Sequence, residues 1–404
     1  MSKMDKKTLK PRIRFANFTD AWEQRKLNEI ADIVGGGTPS TQIPEYWDGN
    51  INWYAPAEME GQIYAKSSLR KITLLGLQNS SATLLPEKRT ILFTSRAGIG
   101  KMAILQTEGC TNQGFQSIVL KDGYSPYFIY SMGTTIKDKA ERIASGSTFL
   151  EISGKLLGNI SFLFPRKTEQ DKVGSFFEGL DNLITLHQRK LDKLSNVKKS
   201  LLEKMFPQKN STTPKIRFKG FTDAWEQRKL GDYGNVSMNK RIFKNQTSEK
   251  GDIPFYKIGT FGGKPDAFIS RDLFEEYKLK FPYPEKGDIL ISASGSIGRT
   301  VEYRGEEAYF QDSNIVWLNH HRSLNNSFLK YFYSIVKWHG IEGSTIKRLY
   351  NENILNTVIS LPNNHEQAQI GMFFNQLDNL ITLHQRKLEK LKNVKKALLE
   401  KMFV

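Results

Sequence analysis

Residues 180–206 read LDNLITLHQRKLDKLSNVKKSLLEKMF, and residues 377–403 read LDNLITLHQRKLEKLKNVKKALLEKMF. The two copies are identical at 24 of 27 positions and differ only at Asp192/Glu389, Ser195/Lys392 and Ser200/Ala397. A second pair, PRIRFANFTDAWEQRKL (11–27) and PKIRFKGFTDAWEQRKL (214–230), is identical at 14 of 17 positions. The paired segments start 197 and 203 residues apart, so the 404-residue chain consists of two tandem units of about 200 residues each.

Between these near-copies the two halves hardly match. Segments 28–145 and 231–342 share only scattered landmarks, namely RAGIGK (96–101) against SGSIGR (294–299) and Gln113 against Gln311. Directly after these segments, each half contains the sequence GST, at 146–148 and at 343–345. A simple duplication should diverge fairly evenly along its length, whereas here two short segments stay fixed and the long ones between them differ. We interpret this pattern as a common frame that holds two different recognition modules.

The repeated 180–206 segment has the periodicity of a long helix. Seam residues recur at alternating spacings of four and three, and Pro165 and Pro207 bracket the region. A helix from about Lys167 to Phe206 would be roughly 60 Å long. The seam residues of the two copies are Leu180, Ile184, His187, Leu191, Leu194 and Leu201, with Leu377, Ile381, His384, Leu388, Leu391 and Leu398. Because this stripe is too long for one module to cover, we expect the helices to pair antiparallel as a coiled-coil spacer rather than pack only on their own domains.

Metal and disulfide chemistry are not indicated. His187 and His384 lie in runs without other metal ligands, so we interpret them as polar seam residues that fix the register. Cys110 is the only cysteine, which excludes an internal disulfide and a cysteine zinc site. We therefore expect no metal site and a reducing, cytoplasmic setting.

The charge balance favours a polyanionic partner. The chain has 59 Lys+Arg against 42 Asp+Glu, a formal net charge of +17. Nucleic acid is the first candidate and an anionic membrane surface the second, against the alternative of a merely basic protein. No apolar run approaches the roughly 18–20 residues that cross a bilayer, and no apolar stretch follows the basic N-terminus. We therefore expect neither a membrane span nor a secretory signal.

The variable segments have mixed character, which predicts two α+β modules. The strand candidates are TILFTS (90–95), QSIVL (116–120), DILISA (288–293) and SNIVWL (313–318), and the helix candidates are residues 126–144 and 326–340. The turns RAGIGK and SGSIGR do not fit G-x-x-x-x-G-K-[ST], so they are not phosphate-binding P-loops. Each could be a plain hairpin turn, or its basic residue, Lys101 or Arg299, could contact a DNA backbone.

The chain resembles the specificity subunit (HsdS) of type I restriction–modification systems. The resemblance is carried by GGGTPSTQIPEYWDGNINWYAP (35–56), RAGIGK (96–101), CTNQGFQSI (110–118) and the duplicated helix with its preceding FFEG or FFNQ, and it spans almost the whole chain. It implies a pseudo-twofold α+β protein in which two target recognition domains are separated by two long antiparallel coiled-coil helices. Each domain would read one half of a bipartite site in double-stranded DNA. The second half lacks the GGTPS…EYW signature, so its target should differ.

The resemblance also implies the domain limits and the partners. We assign residues 1–165 to the first target recognition domain, 166–210 to the first spacer helix and linker, 211–362 to the second domain and 363–404 to the second helix. The helices would set the half-site spacing and dock two modification subunits, and restriction/translocase subunits would join for cleavage. We expect no cofactor in this chain, with S-adenosylmethionine, ATP and Mg bound by the partner subunits.

The candidate DNA-binding residues are loop side chains that can donate to phosphates or base edges. In the first module they are Thr38, Ser40, Arg96, Lys101, Asn112 and Gln113. In the second module they are Lys240, Arg241, Lys244, Lys257, Ser294, Arg299 and Gln311.

Two other kinds of protein are alternatives to a DNA reader. A catalytic chain is disfavoured because there is no Pro-Pro of an adenine methyltransferase, no Walker motif and no His/Cys cluster, and Pro265-Asp266 lacks the strand-borne partner of a nuclease. The other is a non-catalytic adaptor that holds two modules for another ligand on a coiled-coil spacer. Basic clusters inside the modules favour DNA over it: Lys88-Arg89, Arg96-Lys101, Lys240-Arg241-Lys244 and Lys278-Lys280.

Overall fold

The protein divides into two compact units that both long helices enter. The computed structural model describes residues 10–96, 98–146, 150–208, 211–340 and 348–403. The first unit comprises Met1–Gln188 with Arg386–Val404, and the second comprises Arg189–Gln385. Each unit therefore holds the beginning of one long helix and the end of the other.

The first unit is an α+β structure. Its strands are β1 (Glu23–Lys26), β2 (Ala31–Gly35), β3 (Trp47–Tyr54), β4 (Tyr64–Ala65), β5 (Arg70–Ile72), β6 (Thr90–Phe93), β7 (Met102–Leu105), β8 (Gly109–Thr111), β9 (Gln116–Leu120) and β10 (Ser161–Phe164). Its helices are α1 (Leu27–Ile30), α2 (Leu74–Gln78), α3 (Pro126–Ser131), α4 (Gly133–Ile143), α5 (Gly154–Gly158) and the first half of α6 (Lys167–Met205). The strands form a five-stranded sheet in the order β2-β9-β6-β7-β4, a three-stranded sheet β5-β3-β8 and the pair β1-β10.

The second unit repeats this plan with fewer strands. Its strands are β11 (Glu226–Lys229), β12 (Asn235–Ser237), β13 (Ile253–Tyr256), β14 (Phe268–Ile269), β15 (Ile289–Ser292), β16 (Thr300–Glu302), β17 (Tyr309–Phe310), β18 (Ile315–Asn319) and β19 (Val358–Leu361). Its helices are α7 (Arg271–Lys280), α8 (Asn326–Tyr333), α9 (Asn351–Leu355) and the first half of α10 (Asn364–Met402). The sheets have the orders β12-β18-β15-β16, β14-β13-β17 and β11-β19.

The central strand of each main sheet is buried on both faces. In β6, Ile91 and Phe93 belong to the core that contains Phe128 of α3, whereas Leu92 belongs to the core that contains Tyr54 of β3. Alternate residues of a strand point to opposite faces, so one apolar run supplies two cores. In β15 the same alternation assigns Ile289 and Ile291 to one core and Leu290 to the other.

The predicted strands are confirmed, with ends shifted by a few residues, and both glycine turns are hairpin turns. The β6–β7 and β15–β16 pairs are antiparallel and adjacent in sequence. The helical stretch predicted over 126–144 is confirmed, as the two consecutive helices α3 and α4. They are separated by the buried residue Met132, whose ψ is 2°. The helix predicted over 326–340 ends at Tyr333.

The long helices agree closely with the prediction, and they pair antiparallel within each unit. Each is 39 residues long, which corresponds to about 58 Å. In the first unit the ring centroids of Phe177 and Phe403 are 5.8 Å apart, and Lys395 Nζ lies 2.6 Å from Asp181 Oδ1. The partner residue on α10, or directly after its end, thus falls from 403 to 395 as the residue on α6 rises from 177 to 181.

The second unit shows the same pairing with the helices exchanged. Phe206 and Phe374 have ring centroids 6.5 Å apart, and Lys198 Nζ lies 2.6 Å from Asp378 Oδ1. Each unit therefore completes its core with the end of the helix that the other repeat contributes. This explains why the last residues of both helix copies are retained together with the FTDAWEQRKL segment: Phe206 packs on Trp225, and Phe403 packs on Trp22.

The other repeated segment, PRIRF or PKIRF, ties each long helix to its unit. Arg14 makes two hydrogen bonds of 2.6 Å to the buried carboxylate of Glu169, and Arg217 makes two of 2.7 Å to that of Glu366. A planar guanidinium matches a carboxylate in this two-point geometry. Removing either partner would leave a buried charge, so these residues are part of the common frame.

Candidate nucleic-acid interface

In each unit, three loop segments meet at one end of the main sheet. In the first unit the N–H of Ser95 donates to Gly114 O (2.8 Å), and the N–H of Ile152 donates to Ser95 O (3.0 Å). In the second unit the N–H of Ala293 donates to Asn314 O (2.7 Å), and the N–H of Leu349 donates to Ala293 O (2.7 Å). We call this region the loop edge, which comprises residues 94–96, 98–101, 112–114 and 151–152 in the first unit and 292–299, 311–314 and 348–349 in the second.

A hydroxyl at the end of the central strand builds each hairpin turn. Thr94 Oγ1 accepts the N–H of Lys101 (2.9 Å) and donates to Gly98 O (2.7 Å). Ser292 Oγ accepts the N–H of Arg299 (2.9 Å) and donates to Ser296 O. Gly100 and Gly298 have φ of 88° and 79°, where a side chain would be strained. The two turns thus share one geometry, and Ala97 of the first turn lies outside the described residues.

The GGG sequence of the first module lies against the loop edge because of its close backbone packing. A Cβ on Gly36 would come 1.9 Å from Asn112 O, and the N–H of Gly37 donates to Thr111 O (2.8 Å). The Thr38 hydroxyl then hydrogen-bonds Gln113 Oε1. The glycines therefore place Thr38 next to residues 112–114.

Four of the six candidates in the first module come together at this edge. They are Thr38, Arg96, Asn112 and Gln113. Asn112 Oδ1 accepts the N–H of Gly114 (2.8 Å), and the Gly114 carbonyl accepts the N–H of Ser95, the residue before Arg96. Their side chains offer amide, hydroxyl and guanidinium groups, which are the groups that read base edges.

Of the other two candidates of the first module, Ser40 lies outside the loop edge, and the Lys101 side chain contacts a residue outside it. Ser40 uses its carbonyl oxygen to accept Trp47 Nε1 (3.0 Å) and its hydroxyl to accept the N–H of Gln42 (3.4 Å). Lys101 is in the turn, but its Nζ lies 2.9 Å from Glu60 Oε2, and this contact lowers the pKa of the Glu60 carboxyl. The side chains of Lys101 and Glu60 are both exposed, so this ion pair is screened by solvent and can open.

In the second module, Arg241, Ser294 and Gln311 meet at the loop edge. Arg241 Nε lies 2.9 Å from Asp312 Oδ2, and the Ser294 hydroxyl lies 2.8 Å from Asn314 Oδ1. Arg299 is exposed in the adjoining turn. Gln311 Oε1 accepts the N–H of Ile258 (2.9 Å), so this amide partly supports the loop itself.

The remaining candidates of the second module do not join that group directly. Lys257 Nζ lies 2.9 Å from Asp266 Oδ1, on the loop after β13. Lys240 Nζ lies 5.0 Å from the centre of the Phe281 ring, a cation–π contact. Lys244 is exposed at the start of a short 3₁₀ turn, Lys244–Gln246.

The structure changes one correspondence between the halves. The N–H of Asn112 donates to Tyr54 O (3.0 Å), and the N–H of Gln311 donates to Tyr256 O (2.9 Å). Gln311 is therefore the structural counterpart of Asn112 rather than of Gln113. Asn112 precedes Gly114 by two residues, whereas Gln311 precedes the equivalent Asn314 by three, so the loop of the second unit has one additional residue.

Sequence reasoning missed one position at the edge, occupied by Glu151 in the first unit and Arg348 in the second. The backbone of Glu151 forms an isolated antiparallel β-bridge with Arg96, and the backbone of Arg348 forms one with Ser294. A signal was present, because each residue follows the first letter of a GST landmark by five positions. Gly146 is described, whereas the remainder of the first GST and all of the second, 343–345, lie outside the described residues.

Most of the predicted seam residues pack in the hydrophobic core of one unit. Leu180, Leu377, His384 and Leu388 are buried, and the seam residues of intermediate exposure are Ile184, His187, Leu191, Leu194, Leu201, Ile381, Leu391 and Leu398. A different set of repeat-related apolar side chains on α6 and α10 is exposed: Leu183, Leu186 and Val197, with Leu380, Leu383 and Val394.

Other chemistry has little support. Among the described residues, no group of three His, Cys, Asp or Glu side chains could hold a metal ion. Burial raises the pKa of the Cys110 thiol to about 12, which makes it unreactive at neutral pH. No described helix combines the length and apolar character needed to cross a membrane.

Comparison with known proteins gives one consistent result. The family model described as type I restriction modification DNA specificity domain matches twice, over residues 19–196 and 222–393. A putative type I restriction enzyme specificity subunit of Haemophilus influenzae is 59% identical over 152 residues, covering 37% of this chain and 40% of that protein. The type I restriction enzyme MjaIX specificity subunit of Methanocaldococcus jannaschii is 29% identical over 407 aligned residues, covering 94% of this chain and 92% of that protein.

Solved structures agree on the fold. The crystal structure of the type I restriction-modification system S subunit from M. genitalium matches with a TM-score of 0.64 at 16% identity, covering 98% of this chain and 99% of that one. A chain from a structural study of complex assembly of the type I R-M system matches with a TM-score of 0.52 at 17% identity, covering 96% and 99%. The chain therefore belongs to the family of type I restriction modification DNA specificity domains and carries one copy of that domain in each half.

Proposed function

We propose that this chain is the non-catalytic, sequence-specific DNA-binding subunit of a type I restriction–modification complex. Each unit reads one half of a bipartite site in double-stranded DNA through its loop edge. The single observation that carries this proposal is the pair of loop edges, which share a backbone frame but differ in the side chains they present. Asn112 in one unit corresponds to Gln311 in the other, and Arg96 corresponds to Ser294.

Base recognition and positioning on the DNA backbone require different side-chain groups. Amide and guanidinium side chains make the paired hydrogen bonds that tell one base from another, whereas exposed lysines and arginines neutralise phosphates. The loop edges supply both kinds, since Asn112, Gln113 and Gln311 lie beside Lys101 and Arg299. The family match and the basic modules support this reading over the bivalent adaptor for another ligand.

The paired helices provide the spacer and the docking surface for partner subunits. Their exposed apolar side chains occur twice in nearly the same sequence context, which suits two copies of one partner, the modification subunit. That subunit would bring S-adenosylmethionine, and restriction/translocase subunits would bring ATP and Mg for cleavage. The complex would work in the cytoplasm, where the DNA is.

The test is to co-express the chain with its modification subunit and to map methyladenine across the genome. The expected result is a split motif with a fixed gap. Methylation that does not depend on this chain would contradict the proposal.

A matched control uses the internal repeat. Replacing residues 231–376 by 28–179 joins the chain within identical sequence at both ends and installs two copies of the first module. Because the helices pair antiparallel, the two identical modules should read an inverted repeat. A motif that keeps two unlike halves would show that the modules do not carry the specificity.

A further inference from the structure

We infer that Arg348 reads a guanine in the half-site of the second unit, and that Glu151 is the matching base-reading residue of the first unit. This inference rests on the proposed function and assigns it a specificity-determining position. The position is new relative to the loop residues expected from the sequence, and opposite chemistry occupies it in the two units.

The two residues occupy equivalent backbone positions. Each precedes the residue whose N–H donates to the end of the central strand, Ile152 to Ser95 O and Leu349 to Ala293 O. Each also forms the bridge to the first residue of the hairpin turn described above. Both residues therefore adjoin the end of the central strand and the first residue of the hairpin turn.

With the described residues, the Arg348 guanidinium makes one hydrogen bond and one contact with an aromatic ring, so most of its N–H donors stay unused. Its Nη2 donates to Ser313 O (3.0 Å), and its Cζ lies 5.9 Å from the centre of the Tyr350 ring. Arginine has five N–H donors, so most of them are not used by this contact. A fixed fork loses less rotational freedom on binding than a mobile side chain does.

Charge pairing separates Arg348 from two other arginines of its unit. Arg241 is paired with Asp312, and Arg271 is paired with Glu307. Within the described ranges, no carboxylate lies within ion-pair distance of Arg348. Its positive charge is thus available to a ligand at the loop edge.

Arg348 also lines an open cleft with both polar and apolar walls. The cleft has a volume of ≈ 420 Å³. Its lining residues are Met238, Ser313, Arg348, Leu349, Tyr350, Asn351 and Glu352. The exposed Tyr350 ring and the Asn351 amide at this cleft add groups that can contact a nucleotide beside the guanidinium.

The chemistry of the two side chains predicts what each reads. A guanidinium donates two parallel hydrogen bonds to O6 and N7 of guanine, whereas a carboxylate accepts from the amino group of cytosine or adenine. Arg348 therefore selects guanine, and the exposed Glu151 selects an amino-bearing base. The same backbone position would thus give the two half-sites different sequences.

The test measures binding of the complex with the modification subunit to duplexes that carry each base at every position of the second half-site. Wild type should prefer guanine at one position by roughly tenfold to a hundredfold. Arg348→Ala should lose that preference, Arg348→Lys should weaken it because an ammonium lacks the planar fork, and both should leave the other positions unchanged. Arg348→Gln should shift the preference toward adenine, because a glutamine amide pairs with its N6 and N7.

The control variant is Arg271→Ala, which removes an exposed arginine of the same unit and should keep every preference. In the first unit, Glu151→Gln should change one position of the first half-site and none of the second. An equal loss of affinity on all sequences in the Arg348 variants would identify a phosphate contact and overturn the inference, as would an unchanged guanine preference. If the wild-type complex recognises no bipartite site, the proposed function fails instead, so the two failures are distinguishable.

Discussion

Lys395 Nζ lies 2.6 Å and 2.7 Å from the two carboxylate oxygens of Asp181, a residue 214 positions earlier in the chain. The repeat mates of these residues, Lys198 and Asp378, form the same ion pair in the other unit. The same Asp–Lys ion pair thus joins the two helices in both units. In the first unit α6 supplies the aspartate and α10 the lysine, and in the second unit the helices supply the opposite residues. This relationship shows why the repeated helix retains both residues.

Lys395→Met should destabilise the first unit by about 2 kcal/mol. Asp181 is 7% exposed and would be left as a buried carboxylate without its cation, although the 24% exposure of Lys395 reduces the loss. Urea unfolding measures the effect, with the exposed Lys396→Met as the control. Because Asp181→Asn removes the buried charge, the double variant should be more stable than the sum of the single effects. Additive effects would show that the pair is not coupled.

Phe206→Ala should destabilise the second unit by about 3 kcal/mol, because this buried ring packs 5.2 Å from Phe328. Phe403→Ala should destabilise the first unit by about 2 kcal/mol, since Phe403 is only half-buried against Phe128. The fluorescence of Trp225 and Trp22, which lie beside these rings, reports each unfolding step. An unchanged transition in the Phe403 variant would contradict the shared core.

Inserting seven residues after Gln188 and seven after Gln385 should lengthen the recognised gap without altering either half-site. These are the points at which the long helices pass from one unit into the other. Seven residues keep the heptad register and add about 10 Å, or roughly three base pairs of DNA. Methyladenine mapping gives the gap directly. Changed half-sites with the original gap would refute the spacer role.

Lys101→Ala and Arg299→Ala should each weaken DNA binding equally on all sequences, if these turn residues contact phosphates. Each variant should also lower the log–log dependence of affinity on salt by about 0.9, the value for one phosphate. Lys121→Ala is the control, because Lys121 follows the opposite end of β9 from the loop edge. A loss confined to one base position would indicate base reading instead. No change in affinity or in discrimination would remove both residues from the interface.

Leu183→Asp and Leu380→Asp should each release one of two modification subunits, and the double variant should release both. The two leucines are repeat mates with exposures of 48% and 47%, so folding should change by less than about 0.5 kcal/mol. Light scattering of the complex gives the number of bound subunits. The exposed neighbours Asn182→Asp and Asn379→Asp serve as controls for the added charge. Full occupancy in the double variant would rule out this surface.

Much of the architecture could be predicted because it is written in short-range patterns. The heptad spacing from Leu180 to Leu201 predicts a long helix, and its duplication predicts an antiparallel pair. The apolar runs that became β6 and β15 were also recognisable, since each lies before a glycine turn. The one-residue interruption of the helical stretch at Met132 was not predicted.

The sequence by itself determined the two-unit frame, the long helices and the basic, loop-borne character of the candidate interface. Only the tertiary structure decided which residues share a site. Backbone hydrogen bonds from Ile152 to Ser95 and from Leu349 to Ala293 bring the neighbouring Glu151 and Arg348 to the loop edge from distant segments of the chain. Local periodicity depends on neighbours a few residues apart, whereas such contacts depend on how sheets and helices pack. The pairing of Phe403 with the first unit has the same origin, because hydrophobic burial joins surfaces without regard to their separation along the chain.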